Sequence, residues 1–475
     1  MDSKNTKNFL LSCAVIVVVT CLCLGLVLAA GVGLTILRPV DFRPGQEVTP
    51  PPSETYEGPD AMLTPEAERP EGELPEAEEL PPDVAEIVLE IEAQVSQIRG
   101  LTLQKPVPRI LMSPEELEDI VVNEFFADYS DEDARQDVLV LSLLGLLPSD
   151  FDLKNFYNDL YSEQISGFYD SETGEIYILK GTSFGGSEKL TYAHEFTHVL
   201  QDQTFGFETG LNYNEEGCET DSERCAAIQS LIEGDSSLTE ILWFQTYATR
   251  DDYKDIVQIF EDYASPTLDA APPYMALDLY FPYEKGFAFV EFLYNEGGYD
   301  AVNAAYEKPP LSTEHILHPE RYPSDKPVRI TLPNLEETLG AGWVLFDQNV
   351  MGEWYTYLIL SQAYEEAYRI TDGQASAAAE GWGGDAYAIY LDEQTDEVIF
   401  ILDLVWDTAQ DADEFTDALS QYADQRWDVA NQQINGQLTW TGQEGTVVLT
   451  RAGDRTLWII APTDGLAELL LFELQ

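Results

Sequence analysis

Apolar residues run almost without a break from Phe9 to Leu37, and large ones then become sparse between Pro39 and Pro82, where Pro and Glu dominate. The first stretch is long enough to cross a bilayer with some tilt, which predicts a retained N-terminal transmembrane signal anchor over 1–38. The second cannot bury enough surface to fold, which predicts a disordered, extended linker over 39–82. From Asp83 the apolar positions recur at helical spacing (Val84, Ile87, Val88, Ile91, Val95, Ile98) and mark the start of a folded body. Ser113-Pro114-Glu115-Glu116 reads as a capped helix start, and an apolar helical stretch from Val138 to Leu147 is ended by Pro148. Ile165 to Asp170 and Glu175 to Leu179 flank a polar Ser-Glu-Thr-Gly turn, the pattern of a β-hairpin. A helix beginning near Ser187 follows, then long helical stretches from Ala226 to Thr249 and from Lys285 to Glu296.

From about Trp382 the period changes. Short β-rich runs (Tyr387 to Leu391, Val398 to Leu404, Leu438 to Thr441, Thr446 to Thr450, Leu457 to Ile460) surround one helical stretch near Asp411 to Gln425. They predict a separate small α+β domain over 381–475, without catalytic motifs. The fold class expected is therefore α+β: a mostly helical body over 83–380 with a small β-sheet, the C-terminal α+β domain, and the N-terminal transmembrane helix.

Charge narrows the partners. Acidic residues outnumber basic ones 87 to 24, a formal charge of -63. Such a surface repels nucleic acid and anionic headgroups, so no nucleic-acid partner is expected. Solubility or salt-rich surroundings account for the acidity better than substrate selection does. Lys4 and Lys7 precede the apolar run and Arg38 and Arg43 follow it, so flanking charge does not orient it. Cys13, Cys21 and Cys23 lie inside that run as small apolar residues, whereas Cys218 and Cys225 bracket a short acidic segment and suit a disulfide in an oxidising compartment. Together these features predict a single-pass membrane protein with its body outside the cytoplasm.

Two of the four histidines stand in Tyr192-Ala193-His194-Glu195-Phe196-Thr197-His198-Val199-Leu200. Histidines four apart on a helix share a face, so both imidazoles can reach one Zn²⁺. Glu195, just after the first, is placed to act as general base toward water. Two surface histidines on an amphipathic helix are the alternative reading. A catalytic zinc needs a third protein ligand and an open position. Glu233, 35 residues after His198, falls in the apolar run Leu231-Ile232-Glu233-Gly234-Asp235, where an unpaired carboxylate is costly and a metal partner accounts for it. Glu219, Asp221 and Glu223 form a second candidate set, which their polar loop makes a solvated face. His315 and His318 form a third, on a short helix that Ser312 or Thr313 caps and Pro319 ends. Asp202 and Asp235 are candidates for orienting the ligand imidazoles.

His-Glu-Phe-Thr-His followed by a helix carrying Glu-Gly resembles the gluzincin branch of the zincin metallopeptidases, which includes thermolysin-like and alanyl-aminopeptidase-like enzymes. The resemblance implies a zincin-like metallopeptidase domain within 83–380, with His194, His198 and Glu233 as zinc ligands and Glu195 as base. Pro282-Tyr283-Glu284-Lys285-Gly286-Phe287-Ala288 is similar to the gluzincin aminopeptidase segment whose tyrosine hydrogen-bonds the tetrahedral oxyanion, which implies that role for Tyr283. His318 is a candidate oxyanion or substrate donor, as helper histidines are in several zinc peptidases. The Gly-x-Met-Glu-Asn substrate-amine motif is missing, which argues against exopeptidase action. The similarity covers about Ser166 to Glu296.

The function expected is that of a membrane-anchored, extracytoplasmic zinc metallopeptidase acting on peptide or protein substrates. The alternatives are a non-catalytic cell-envelope binding protein with a structural or vestigial zinc site, and a non-peptide zinc hydrolase such as a cell-wall amidase.

Overall fold

The computed structural model describes residues 80–475 except 114–115, 117–119, 121–128, 165–166, 180–183, 263–264, 428, 430, 435–436 and 443–444. The anchor expected over 1–38, its three cysteines and almost all of the linker expected over 39–82 lie outside the described residues. Among the described residues no helix is long and apolar enough to cross a membrane. The two longest helices show why. Ser222–Tyr247 carries Glu223, Arg224, Glu233, Asp235 and Glu240, and Pro273–Glu307 carries Asp278, Glu284, Lys285, Glu291 and Glu296. The expected α+β fold with a transmembrane helix, and the single-pass membrane location that went with it, are corrected accordingly. The fold is mixed helix and sheet, with no membrane-crossing helix among the described residues.

The body opens with α1 (Pro82–Arg99), which buries Val88, Ile91, Val95 and Ile98 along one face. Each such side chain contributes about 1.5–3 kcal/mol of burial, enough to seat the helix firmly. Gly100 ends it at φ 73°, a left-handed conformation suited to glycine, with its N–H donating to the Ser96 carbonyl. Strands β1 (Arg109–Met112), β2 (Gly167–Asp170) and β3 (Glu175–Leu179) form a sheet in the order β1–β3–β2. β1 runs parallel to β3 and β2 antiparallel to it, so the predicted hairpin forms and leaves β2 on the edge. Helix α2 (Gly186–Phe205) packs against β2 and β3 and also against α1.

Two long helical segments follow, α3 (Ser222–Tyr247) and α4 (Pro273–Glu307), the second kinked where the backbone leaves helical geometry at Gly297 and Gly298. They cross at a pair of glycines. A β-carbon on Gly234 would collide with the Gly286 carbonyl, and one on Gly286 with the Ser230 carbonyl. This close approach brings Tyr283 of α4 toward the middle of α3. Cys218 and Cys225, just before and within α3, stand at disulfide distance, with Cα atoms 5.2 Å apart.

Beyond α5 (Thr313–Leu317) the chain enters a seven-stranded antiparallel sheet through β4 (Trp343–Asn349) and α6 (Gly352–Ser361). The remaining strands are β5 (Trp382–Asp392), β6 (Val398–Trp406), β7 (Gln432–Ile434), β8 (Gln437–Gly442), β9 (Gly445–Ala452) and β10 (Arg455–Ala461), in the order β4–β5–β6–β10–β9–β8–β7. Alternation puts Tyr387, Phe400, Leu402 and Trp458 into a core shared with the helical body. It puts Ala388, Ile399, Ile401 and Ile459 into a second core closed by the C-terminal helix Asp464–Leu474. The unit expected to begin at 381 thus takes its edge strand from upstream of that point and is continuous in core with what precedes it.

Buried acids line the seam between the two parts. Glu223 accepts from the N–H and hydroxyl of Thr313, at 2.6 and 2.7 Å, and Asp385 accepts from the N–H groups of Met351 and Gly352. Glu314 pairs with Arg321. Burial first, then neighbouring Glu353, pushes the Glu314 carboxyl up to about 8 against the opposing pull of Arg321. An acid that holds its proton more tightly when folded than when unfolded favours the folded state at low pH. That contribution drains away as pH rises from the ordinary 4.5 to about 8. The thermal midpoint is therefore expected to fall across this window, and Glu314→Gln to flatten the slope. Parallel midpoint-against-pH curves for the two proteins would contradict it.

Candidate metal centre

One turn of α2 separates His194 from His198 and sets both on one face, with ring centroids 4.7 Å apart. α3 presents Glu233 to the same face. Its Oε2 lies 3.1 Å from His194 Nε2 and 3.5 Å from His198 Nε2. One ligand atom from each of the three falls within 4.8 Å of the others, and no further His, Cys, Asp or Glu joins the group among the described residues. Glu233 Oε1 is buried and accepts no hydrogen bond. An orphaned carboxylate oxygen in the interior is costly unless a cation sits beside it. Two imidazole nitrogens and one carboxylate converging on a point are also a fitting donor set for zinc. The residues present fit such an ion.

The non-coordinating nitrogens are also held. His194 Nδ1 lies 2.8 Å from Glu240 Oε2, and His198 Nδ1 lies 2.8 Å from Gln201 Oε1. Acceptors in these positions turn each Nε2 toward Glu233. Burial opposes charge on His194, but Glu240 and Glu233 together outweigh it and hold the imidazole well above its ordinary pKa. For Glu233, burial favours the neutral acid, yet the two histidines keep it below the ordinary carboxylate range. In the absence of a metal, a proton on His194 partly replaces its positive charge.

Glu195 follows His194 on α2, and its Oε2 accepts the backbone N–H of Tyr169 on β2 at 2.9 Å. Tyr169 is tied to the same helix again through its hydroxyl, which donates to Asp202 at 2.8 Å. The Tyr283 ring stands 6.4 Å from that of His194. His194, Glu195, His198, Glu233 and Tyr283 are each at most 1% exposed, so in this conformation the centre is closed to a peptide.

The fold gathers five of the six residues expected at the site and leaves out His318. That imidazole pairs with Glu353 of α6 at 2.9 Å. The neighbouring Thr313 and Gly352 pack on Glu223, ten residues (about 15 Å of helix) before Glu233. His315 serves its own loop, with Nδ1 accepting from Leu311 N and Nε2 facing Asp325 O. Of the acidic alternatives, Asp221 caps α3 and Glu223 is buried at the seam rather than solvated. Asp202 does not orient His198; it holds Tyr169 and the N–H of Phe207. Glu240 and Gln201 were missed as site residues, and Gln201 carries no sequence signal of its own. The signal for Glu240 was present: it lies seven residues past Glu233, two turns along the same face.

A family model described as a domain of unknown function (DUF8575) matches residues 344–470, the sheet and helices C-terminal to the metal centre. No curated protein and no solved structure matches the chain.

Proposed function

We propose that the protein is a zinc-dependent metallopeptidase of the gluzincin type, with His194, His198 and Glu233 holding the ion. The observation that carries this reading is the convergence of three ligand atoms, and three only among the described residues, beside a buried carboxylate that is not itself a ligand. A zinc ion held there supplies Lewis acidity toward water and toward a peptide carbonyl. Glu195 takes the proton from the attacking water and returns it to the leaving amine. The Tyr283 phenol, beside His194, donates to the oxyanion that develops on the carbonyl. The edge strand β2 offers backbone groups to an extended substrate next to Glu195. The centre is closed in this conformation, with the Phe207 ring 6.4 Å from that of His198, so a peptide reaches it only when the surrounding packing opens.

The complete burial of the centre favours a second reading, a structural zinc in a binding protein. A structural site is normally closed by four protein ligands, and three converge here among the described residues. Metal analysis of the purified protein together with digestion of a mixed peptide library separates the two. The catalytic reading expects one zinc per chain and internal cleavage that stops with a chelator and returns with added zinc. A zinc-loaded protein that leaves the library intact supports the structural reading instead.

A further inference from the structure

We propose that Gln201, anchored by Asp235 and Arg99, is the positioning group of the second metal ligand, His198; the proposal rests on the zinc reading above. Gln201 Nε2 lies between two acceptors, the Ile232 carbonyl at 3.1 Å and Asp235 Oδ2 at 2.9 Å. An amide nitrogen so placed fixes which way the amide points. Its Oε1, which can only accept, therefore faces His198 Nδ1 at 2.8 Å. Nδ1 therefore carries a hydrogen, and in the neutral ring that a metal requires the lone pair stands on Nε2, the nitrogen turned toward Glu233.

The anchor behind the amide is equally constrained. Asp235 accepts from Tyr306 OH at 2.8 Å and pairs with Arg99 Nε at 2.8 Å; Arg99, Gln201 and Asp235 are all fully buried. The Arg99 guanidinium lies 4.5 Å over the ring of Tyr299. Arg99 comes from the last turn of α1, so the first described helix reaches through this chain of bonds to the metal ligand.

The choice of an amide has a charge rationale. His194 already rests on a carboxylate, Glu240, and Glu195 and Glu233 are buried in the same centre. A further carboxylate against His198 would add a buried negative charge with its own desolvation cost. Gln201 transmits the orientation without adding charge, and the charge of Asp235 one step farther out is matched by Arg99.

The test is zinc affinity of the full chain, measured by competition with a chromophoric chelator, in wild type, Gln201→Leu and the double variant Gln201→Glu with Asp235→Asn. Gln201→Leu is expected to bind zinc about 10–100-fold more weakly and to alter the visible spectrum of the Co²⁺-loaded protein. The double variant exchanges donor and acceptor, the introduced amide donating to the introduced carboxylate, and is expected to recover affinity to within about tenfold of wild type. Stoichiometric zinc in the wild type with unchanged affinity in Gln201→Leu overturns the positioning role. A wild type that takes up no zinc at all overturns the zinc reading instead. If Gln201→Leu does not fold, the double variant decides: folded but about a hundredfold or more weaker, it refutes the relay.

Discussion

Glu195→Gln is expected to keep a full complement of zinc and to lose about 10²–10⁴-fold in kcat for peptide hydrolysis, the range over which a positioned acid–base group acts. The metal should stay because Glu195 is not among the three converging ligands. The fold should stay because a glutamine at this position keeps an oxygen that accepts the Tyr169 N–H, the hydrogen bond tying the residue to β2. What glutamine cannot do is take a proton from water. Metal content, the thermal midpoint and kcat on one peptide identified in the library digest, measured side by side, make the comparison. Activity within about twofold of wild type would remove Glu195 from the mechanism, since no general base contributes so little.

Stripping the metal is the second large effect, and it acts on stability. Glu233 and Glu240 are buried, and their ion partners are imidazoles, with no Lys or Arg joining them among the described residues. Binding to the folded state alone stabilises by about 4 kcal/mol when free zinc is about a thousand times its Kd. Chelation should remove that and lower the thermal midpoint by several degrees. The gap should also widen with pH. In the metal-free protein His194 holds a proton well above its ordinary 6.5, and this supports the fold fully below 6.5. The support is lost as pH rises through the elevated value. Zinc must displace that proton, so its apparent affinity rises with pH up to the same point. Melting curves with and without chelator at about pH 6 and about pH 8.5, on either side of the ordinary imidazole value, report both effects. Equal midpoints with and without chelator at both pH values would mean that no ion sits between these side chains in the folded protein.

Local features of the chain were legible because they depend on backbone period. Residues four apart on a helix share a face whatever surrounds them, so His194 and His198 were bound to point together. The polar turn at 171–174 marked the hairpin of β2 and β3, and the β-rich runs from Tyr387 onward marked strands of the C-terminal sheet, though not how they pair. The upstream strand β4 carries no such signal, because its burial follows no simple alternation and it runs irregularly past β5 with a register shift between Leu345 and Asp347.

Which residues meet across the interior was decided by packing alone. Glu223 and Glu233 ride the same helix, and only the crossing of α2 with α3 selects the second as the group opposite the histidines while the first closes a seam with Thr313. Gly234 and Gly286 could be read as parts of motifs, but that they let α3 and α4 touch and so carry Tyr283 to His194 is a fact about two helices in contact. Gln201 rather than Asp202 supports His198 because the side chain one position earlier on α2 faces Asp235, whereas Asp202 turns toward Tyr169. Helical period fixes neighbours a few residues apart through geometry common to all helices. Partners drawn from distant segments depend on side-chain volume and close approach at each crossing, which no local pattern encodes.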